Sequence, residues 1–382
     1  MQLDSCRRTS PSPGERNCRA SDIGSPGDAR YNRGVQPFSI LLPALLILTG
    51  CATSARHEPV RATYQNPVLD SDFPDPAVLR AADGFYYVYA TQGEHDGRML
   101  NIQIARSRDL VAWERLGDAL PVKPAWASRT QDFWAPHVVE DGGRYYLYYS
   151  AKPDAALGDA VRGLCLAIAT ADRPAGPFTD MGRPLQCGEG FVNIDPMAYD
   201  DPASGRRLLY WGSGFGAIKV RELAPDRMSF AAGSRAIDLI PVVGTDDPAN
   251  YRRLVEGAWI VRRRGYYYLF YSGDNCCGPN AHYATLVARS RYPTGPFETA
   301  PGTVLERHGV WVAPGHNSVI QDGRGTHWIL YHAVDSRRPR ARPTDEINTR
   351  RVMLLDRLVW RDGWPRLEGD GPSAGSRPRP AR

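Results

Sequence analysis

The stretch RGYYYLFYSG (264–273) joins a glycine-containing turn to a run of aromatic and apolar residues that ends at a small residue. Glycine permits a tight turn and aromatic residues favour strands, so the stretch predicts the turn and returning strand of a β-hairpin. The same design occurs four more times, as DGFYYVYAT (83–91), GGRYYLYYSA (142–151), GRRLLYWGS (205–213) and RGTHWILYHA (324–333). Equivalent positions in the five stretches are 60, 63, 58 and 61 residues apart: Tyr86, Tyr146, Leu209, Tyr267 and Trp328.

Each repeat contains further strand-like segments. One lies before the turn, as in DPAVLRA, APHVVED, DPMAYDD, EGAWIVRR and GHNSVIQDG, and the first four repeats add a later one, as in LCLAIAT or ATLVARS. About four short strands in each repeat are typical of a β-propeller blade, and no segment shows the helical period of a solenoid. The sequence therefore predicts an all-β fold, a five-bladed β-propeller over residues 64–368. The closing strand of the last blade could be RRVMLLDRLVW or YQNPVLD.

The regions that flank the repeats have different compositions. Residues 1–50 form a polar extension followed by an apolar run at 35–48, which has the length of a signal-peptide core. This run ends in LTGC, which resembles a bacterial lipobox with Cys51 as the lipidated residue; the alternative is a buried strand with an incidental cysteine. We expect an exported lipoprotein of the periplasm, outer membrane or cell surface, with a linker at 51–63. The Pro- and Arg-rich tail at 369–382 is expected to be disordered.

Charge and cysteine content exclude some classes of protein. The chain has 382 residues and a formal net charge of +5, but its arginines are scattered and form no basic stripe, so we expect no nucleic-acid partner. The cysteine spacing fits no zinc pattern, and export permits a disulfide between Cys165 and Cys187. The adjacent Cys276 and Cys277 remain unassigned at this stage. We expect a monomer that contacts a membrane only through the lipid on Cys51.

Three acids occupy one position of the repeat. Alignment of the five first strands places Asp75, Asp195 and Glu256 at the position that Ala135 and Gly315 fill in the other two blades. A lone acid at a strand entry usually bonds backbone amides, but three in apolar strands that line one axis favour a shared pocket. Paired carboxylates suit hydrolysis of a glycosidic bond, in which one donates a proton and another activates water.

The same residues carry a resemblance to a known family. NPVLDSDFPDPAVLR, FWAPHVVEDGGRYYLYYSA, NIDPMAYDD, VEGAWIVRRRGYYYLFYSG, PGHNSVIQD and RRVMLLDRLVWRDGWP resemble, in order, glycoside hydrolase family 43, whose members are inverting five-bladed propellers. The resemblance implies that Asp75 is the general base, Glu256 the general acid, and Asp195 the residue that raises the pKa of the acid and orients it. The family often has EGP where this chain has EGA (256–258), which predicts a less constrained backbone at the acid.

Four further residues are candidates for secondary roles. Phe73 and Trp134 are candidate sugar-stacking platforms, with a place in the core as the alternative for each. Arg351 resembles the family arginine that reaches the innermost sugar, and its alternative is a surface arginine. His316 resembles an axial histidine that faces a calcium ion through water; the alternative is a core histidine. No cofactor is required, and a structural calcium ion, largely hydrated, is possible.

The resemblance leaves the substrate open among oligo- and polysaccharides of the plant cell wall. The stretch YLFYSGDNCCGPNAHYATLVARS looks like arabinan-cleaving members, which favours an α-L-arabinofuranosidase or arabinan-cleaving enzyme. The opening NPVLDSDFPDP resembles exo-acting members, so a β-xylosidase or galactan-acting enzyme is the alternative. Two rivals lie outside this reading: a non-catalytic carbohydrate-binding propeller, and a retaining propeller glycosidase with its two acids close together.

Overall fold

The computed structural model describes residues 62–154, 163–340 and 349–381. The predicted signal peptide at 1–50, Cys51 and all but the last two residues of the predicted linker lie outside the described residues. Within these ranges no helix is long and apolar enough to cross a bilayer. The described residues include two single 3₁₀ turns, Ala125–Ala127 and Pro248–Asn250.

The described strands form five successive antiparallel sheets, which we number blades 1 to 5. This arrangement confirms the predicted all-β, five-bladed propeller. The strands of each blade, from first to fourth, are as follows. Blade 1 contains Ala77–Arg80, Tyr86–Ala90, Gln103–Ser107 and Glu114–Asp118; blade 2 contains Phe133–Asp141, Arg144–Ala151, Cys165–Ala171 and Thr179–Asp180, with Gln186–Cys187 also paired to its third strand; and blade 3 contains Met197–Asp200, Arg207–Trp211, Ile218–Glu222 and Ile237–Ile240. Blade 4 contains Val255–Arg263, Tyr266–Asn275, His282–Ser290 and Glu298–Thr299, and blade 5 contains Trp311–Gln321, His327–Asp335, Arg351–Arg361 and Trp364–Leu367. A short hairpin, Gly93–His95 with Arg98–Leu100, follows the second strand of blade 1.

The last blade takes all four strands from one end of the chain. Arg351–Arg361 is its third strand and Trp364–Leu367 its outer strand, so neither sequence candidate is the fourth strand. The YQNPVLD segment instead crosses the third strand, where Leu69 bridges Met353 and the Tyr64 hydroxyl donates to the Leu355 carbonyl at 2.7 Å. These contacts join blade 5 to blade 1.

The predicted disorder of the tail at 369–382 is wrong for its described part. Arg377–Pro378 pairs with Thr63–Tyr64 as a two-stranded sheet. Ser373 is buried, and its backbone N–H donates to the buried Asp356 carboxylate at 3.2 Å. Composition alone misjudged this segment, because its order comes from contacts with the other end of the chain and with blade 5.

Aromatic side chains fill the space between neighbouring blades. One cluster joins blades 1 and 2 through Tyr89 and Tyr149, and another joins blades 2 and 3 through Tyr148 and Trp211. Blades 3, 4 and 5 share the largest cluster, while Phe73 packs in the cluster between blades 5 and 1. Buried aromatics of this size contribute most of the apolar burial that holds the ring together.

The first strand of every blade enters the sheet through a residue with a left-handed backbone. These residues occupy equivalent positions, because each lies two residues before a matching strand pair. The second-strand member of that pair is Tyr89, Tyr148, Tyr210, Phe270 or Leu330 in blades 1 to 5. Their φ angles lie between 47° and 62°, and the five are Asp75, Ala135, Asp195, Gly257 and His316. In blades 2, 4 and 5 the strand pairing shifts register across this position, as in a β-bulge.

A ring of hydrogen bonds links these five residues to the blade before each of them. In four blades the backbone N–H of the left-handed residue donates to a side chain in, or directly after, the second strand of the preceding blade. The four bonds run from Ala135 to Thr91 Oγ1 at 2.8 Å, from Asp195 to Ser150 Oγ at 3.1 Å, from His316 to Ser272 Oγ at 2.8 Å and from Asp75 to His332 Nδ1 at 3.1 Å. Blade 3 has Gly212 at this place and offers no side chain. There the Gly257 N–H donates to Asp195 Oδ2 at 2.9 Å instead. We call these five contacts the amide ring.

The structure contains the disulfide between Cys165 and Cys187. It ties the third strand of blade 2 to Gln186–Cys187, across directly paired positions. Cys276 and Cys277 are also joined to each other, in the loop after the second strand of blade 4.

Ser150→Ala tests the amide ring. We expect the free energy of unfolding to fall by about 1–3 kcal/mol, because the Asp195 N–H loses its acceptor in a buried place. Ser213→Ala is the matched control, since Ser213 is equally buried but its hydroxyl has no hydrogen-bond partner among the described residues. Urea denaturation of the three proteins measures the difference. Equal stability of the two variants would show that the ring bond contributes nothing.

Candidate active site

A cavity of about 280 Å³ opens where the first strands begin. Its volume lies near the lower end of the range for small-molecule sites. Six of the seven candidate site residues predicted from the sequence line this cavity: Asp75, Trp134, Asp195, Glu256, His316 and Arg351. Thr91, Phe191, Ile194, Gly214, Leu254, Asp274, Asn275, Cys276 and Cys277 complete the lining.

The alignment that predicted the acid positions is wrong by one residue in two blades. Strand pairing places Gly257 and His316 level with Asp75 and Asp195, so Glu256 and Gly315 lie one residue earlier. In a regular strand, neighbouring side chains point to opposite faces. The left-handed residue breaks this alternation, and both Glu256 and residues at the Asp75 level face the cavity. The predicted convergence of the three acids is therefore observed, although the register that led to it was not correct.

Asp75 is held as a carboxylate by its neighbours. Its Oδ1 lies 3.2 Å from Arg351 Nη1 and 3.3 Å from His316 Nδ1, and its Oδ2 accepts from the Thr91 hydroxyl at 2.5 Å. Burial raises the pKa of Asp75, but the positive charge of Arg351 and the neighbouring imidazoles of His316 and His332 outweigh burial and bring the pKa well below its ordinary value. An ionised carboxylate beside an open cavity is suited to accept a proton from water.

Glu256 has the opposite electrostatic setting. Its side chain is half-buried in the cavity wall, and burial together with the Asp75 charge raises its pKa to about 7, against the hydrogen bond from Tyr283 and the Arg351 charge, which lower it. The Tyr283 hydroxyl donates to Glu256 Oε1 at 2.7 Å. A carboxyl that keeps its proton near neutral pH is suited to act as a general acid.

Asp195 bonds the chain next to the acid. Its Oδ2 accepts the Gly257 N–H at 2.9 Å and lies 3.7 Å from His316 Nδ1. Burial, then the charges of Glu256 and Asp75, raise the pKa of Asp195 well above its ordinary value. Asp195 and Glu256 thus compete for protons and titrate as a pair. The bond to Gly257 also supplies a constraint on the backbone beside the acid, where EGA replaces EGP.

His316 takes carboxylates as its neighbours. Burial lowers the pKa of His316, which favours the neutral imidazole, and its Nδ1 faces Asp75 and Asp195. Both carboxylates already bond protein donors, and the described residues contain no group of three or more His, Cys, Asp or Glu arranged to hold a metal. This donor set does not fit direct ligation of calcium, and no chemical step is assigned to a metal.

The two aromatic candidates differ in their position. Phe73 is 0% exposed within the cluster between blades 5 and 1 and does not line the cavity, so its prediction as a sugar platform is wrong. Its place in an apolar strand entry gave no sign of which way the ring turns. Trp134 does line the cavity, and its ring stacks on Phe191 with centroids 6.0 Å apart and planes 19° apart.

Several site residues escaped sequence reasoning. Thr91 directly follows the second strand of blade 1, His332 lies within the second strand of blade 5, and Tyr283 belongs to the third strand of blade 4. They were read only as strand residues. The repeat held a usable signal for the first two, because the position after each aromatic run carries Thr91, Ser150, Ser272 and His332 in four blades. Phe191 lies in an irregular segment that aligns with nothing in the other repeats.

Comparison with known proteins gives the family. A family model described as "Glycosyl hydrolases family 43" matches residues 64–365. The chain belongs to glycosyl hydrolases family 43. It is a glycosidase, which confirms the predicted family and enzyme class and removes the non-catalytic rival.

The similar proteins span several specificities. The chain is 29% identical to "Beta-D-galactofuranosidase xynD" of Aspergillus niger, covering 78% of this chain and 82% of that one. It is 30% identical to "Arabinan endo-1,5-alpha-L-arabinosidase C" of Emericella nidulans, covering 80% and 95%. A crystal structure of a thermostable family-43 glycoside hydrolase matches with a TM-score of 0.66 at 26% identity, covering 84% of this chain and all of that one.

Arg351→Gln tests the electrostatics of the cavity. Loss of the positive charge should raise the pKa of Asp75 by about one unit, so the acid limb of kcat/KM moves to higher pH. The basic limb should move the same way, because Arg351 also lowers the pKa of Glu256. Arg351→Lys keeps a charge and is expected to shift both limbs less. Identical acid limbs in wild type and Arg351→Gln would contradict the role given to this ion pair.

Proposed function

We propose that this glycosidase cleaves α-L-arabinofuranosyl linkages of arabinan with inversion of the anomeric centre. Three similar proteins are named for action on such linkages: an endo-acting arabinosidase, an exo-α-(1→5)-arabinofuranosidase and an endo-α-(1→5)-arabinanase. The aromatic mouth of the cavity, described below, supports a substrate longer than one sugar.

The observation that carries the mechanism is the different surroundings of two acids in one cavity: Arg351 pairs with Asp75, whereas a phenol donates to Glu256. Asp75 stays ionised beside Arg351 and serves as the general base for water, while Glu256 keeps a proton and donates it to the leaving oxygen. Inversion requires these two groups on opposite faces of the sugar, with water between the base and the anomeric carbon. After one turnover Glu256 has lost a proton and Asp75 has gained one, and exchange with solvent restores both.

Asp195 supports the acid in two ways. Its negative charge, when present, disfavours a second charge nearby, so the Asp195–Glu256 pair holds a proton near neutral pH. Its bond to the Gly257 N–H fixes the residue next to Glu256, and Gly257 adopts its φ of 62° without a steric penalty.

Exposed aromatic residues extend outward from the cavity. Phe191 is 44% exposed and Phe215 is 73% exposed. Phe191 packs so closely on Gly214 that a Cβ on that glycine would lie 3.0 Å from the Phe191 Cβ. Trp134, Phe191 and the loop that carries Phe215 therefore form a continuous apolar edge on one side of the cavity. The C–H faces of sugars pack well on such rings, which favours a chain of sugars over a single glycoside.

Asp75→Asn and Glu256→Gln test the two roles separately. Each should reduce kcat on linear arabinan by about 10²–10⁴-fold while leaving the Tm near that of wild type. On 4-nitrophenyl arabinofuranoside, Glu256→Gln should lose much less activity, because that leaving group needs little protonation, whereas Asp75→Asn should lose as much as on arabinan. Glu140→Gln, exposed near the end of the first strand of blade 2, is the control acid. Near-normal turnover of arabinan by either site variant would reject the assignment.

The same assays decide the stereochemistry and the sugar. Proton NMR of the first product formed should show the inverted anomer, and a retained anomer would support the retaining rival. The panel contains linear arabinan, an arabino-oligosaccharide, an aryl xyloside and an aryl galactofuranoside. Faster cleavage of the xyloside or the galactofuranoside than of every arabinose substrate would replace arabinan in the proposal.

We also infer that the chain is exported and anchored by a lipid on Cys51. Two similar proteins are named as extracellular, and the Cys165–Cys187 disulfide suits an oxidising compartment. In a bacterial host, the Cys51→Ser variant should leave the membrane fraction while wild type remains in it. Membrane association that survives this change would reject the anchor.

A further inference from the structure

A buried tyrosine lies between the general acid and the wall of the next blade. Tyr283 belongs to His282–Ser290, the third strand of blade 4, and is 1% exposed. Its hydroxyl donates to Glu256 Oε1 at 2.7 Å. Among the described residues, this is the hydrogen bond that the Glu256 carboxyl makes with a side chain. The tyrosine is not part of the cavity lining, so it reaches the acid from behind.

Two residues of blade 5, Gly315 and His332, pack against the ring of Tyr283. A Cβ on Gly315 would lie 2.3 Å from the Tyr283 ring, so any larger residue at 315 would displace the ring. On another side the His332 imidazole lies parallel to it, with centroids 5.7 Å apart and planes 1° apart. His332 is itself held by the Asp75 N–H, as part of the amide ring. The position of the tyrosine is therefore fixed by packing and does not depend on the hydrogen bond alone.

The direction of this hydrogen bond has a chemical consequence. Burial, together with the charges of Glu256 and Asp195, raises the pKa of the Tyr283 hydroxyl well above its ordinary value, so the phenol keeps its proton. In a protonated carboxyl the carbonyl oxygen is the better acceptor, so a phenol that donates to Oε1 favours the carbonyl form of that oxygen. The transferable proton of Glu256 is then favoured on Oε2.

We propose that Tyr283 is a positioning residue that selects Oε2 of Glu256 as the proton-donating oxygen and limits how strongly the acid holds its proton. The inference deepens the proposed function and rests on Glu256 being the general acid. The charged and titratable groups around the pair include Asp75, Asp195 and Arg351 in the cavity, with His316 beside the two aspartates and His332 behind the tyrosine ring. On the second strand of blade 4, Asp274 pairs directly with Tyr283 and is itself bonded to Arg253 and His282.

Tyr283→Phe is the direct test. The hydrogen bond favours the ionised form of Glu256, so its loss should raise the pKa of the acid and move the basic limb of kcat/KM up by about one pH unit. Without the phenol Glu256 becomes a weaker acid, loses the contact that orients it and can carry its proton on either oxygen, so kcat on linear arabinan should fall by about 10-fold, and on 4-nitrophenyl arabinofuranoside by less than about 3-fold. A merely structural role for Tyr283 would lower both rates equally and leave the limb in place.

Two further variants make the result decisive. Tyr210→Phe is the matched control, because this buried hydroxyl also makes a 2.7 Å bond, to the Pro293 carbonyl, outside the cavity. It should leave the pH profile unchanged. Gly315→Ala keeps the phenol but pushes the ring away, and should reproduce the limb shift even if Tyr283→Phe does not fold.

The outcomes separate the two levels of the account. If wild type cleaves arabinan and the basic limb stays in place in both Tyr283→Phe and Gly315→Ala, the inference about Tyr283 is overturned and the proposed function stands. If wild type cleaves no glycoside of the panel, the proposed function fails and takes this inference with it. A limb shift in both variants and none in Tyr210→Phe supports the proposal.

Discussion

The hydrogen bond from the N–H of a left-handed residue to a side chain in or just after the second strand of the preceding blade is the contact on which the site depends. It occurs between four of the five pairs of neighbouring blades, including blades 5 and 1, where His332 accepts from Asp75. Because the left-handed residue interrupts strand alternation, two consecutive residues in each blade can face the axis. The fold thereby places up to ten side-chain positions around one mouth, and the acids occupy three of them.

The exception in this ring is also its functional part. In blade 3 the second strand is followed by Gly212, which has no side chain to accept a hydrogen bond. The Gly257 N–H of blade 4 therefore donates to the Asp195 carboxylate instead. A structural contact that serine or threonine supplies elsewhere is supplied here by a carboxylate. This arrangement couples the orientation of Asp195 to the backbone at Gly257, one residue from the acid. It also explains how the backbone at Glu256 is constrained although Ala258 stands where the family often has proline.

The electrostatic difference between Asp75 and Glu256 arises from their neighbours, with Arg351 as the largest cause that lowers the pKa of Asp75. Arg351 lies 3.2 Å from Asp75 and pairs with it directly, whereas Glu256 receives only a neutral phenol as its hydrogen-bond donor. Asp195, with neither an arginine nor a phenol beside it, competes with Glu256 for a proton. Three acids of one cavity thus acquire different roles from their neighbours.

Sequence reasoning recovered the fold and the three acids because repetition and binary pattern are local properties of the chain. The predicted alignment of the first strands is one residue out of register at Glu256. A β-bulge adds one residue to a strand, and nothing in the amino-acid composition shows where it lies. Sequence reasoning assigned Phe73 to the site and missed Tyr283, since the direction of a side chain depends on packing between blades. The tail was judged disordered from its Pro and Arg content, whereas its contacts with Tyr64 and Asp356 depend on where the chain ends meet.

The central claim is that one cavity holds an ionised base and a protonated acid at the same pH. Carbon-13 NMR titration of the carboxyl groups, with Asp75→Asn and Glu256→Gln spectra for assignment, tests it most directly. The account predicts that Asp75 titrates well below its ordinary value and Glu256 near pH 7. Titration of both groups together, near the ordinary values of exposed carboxyls, would contradict it.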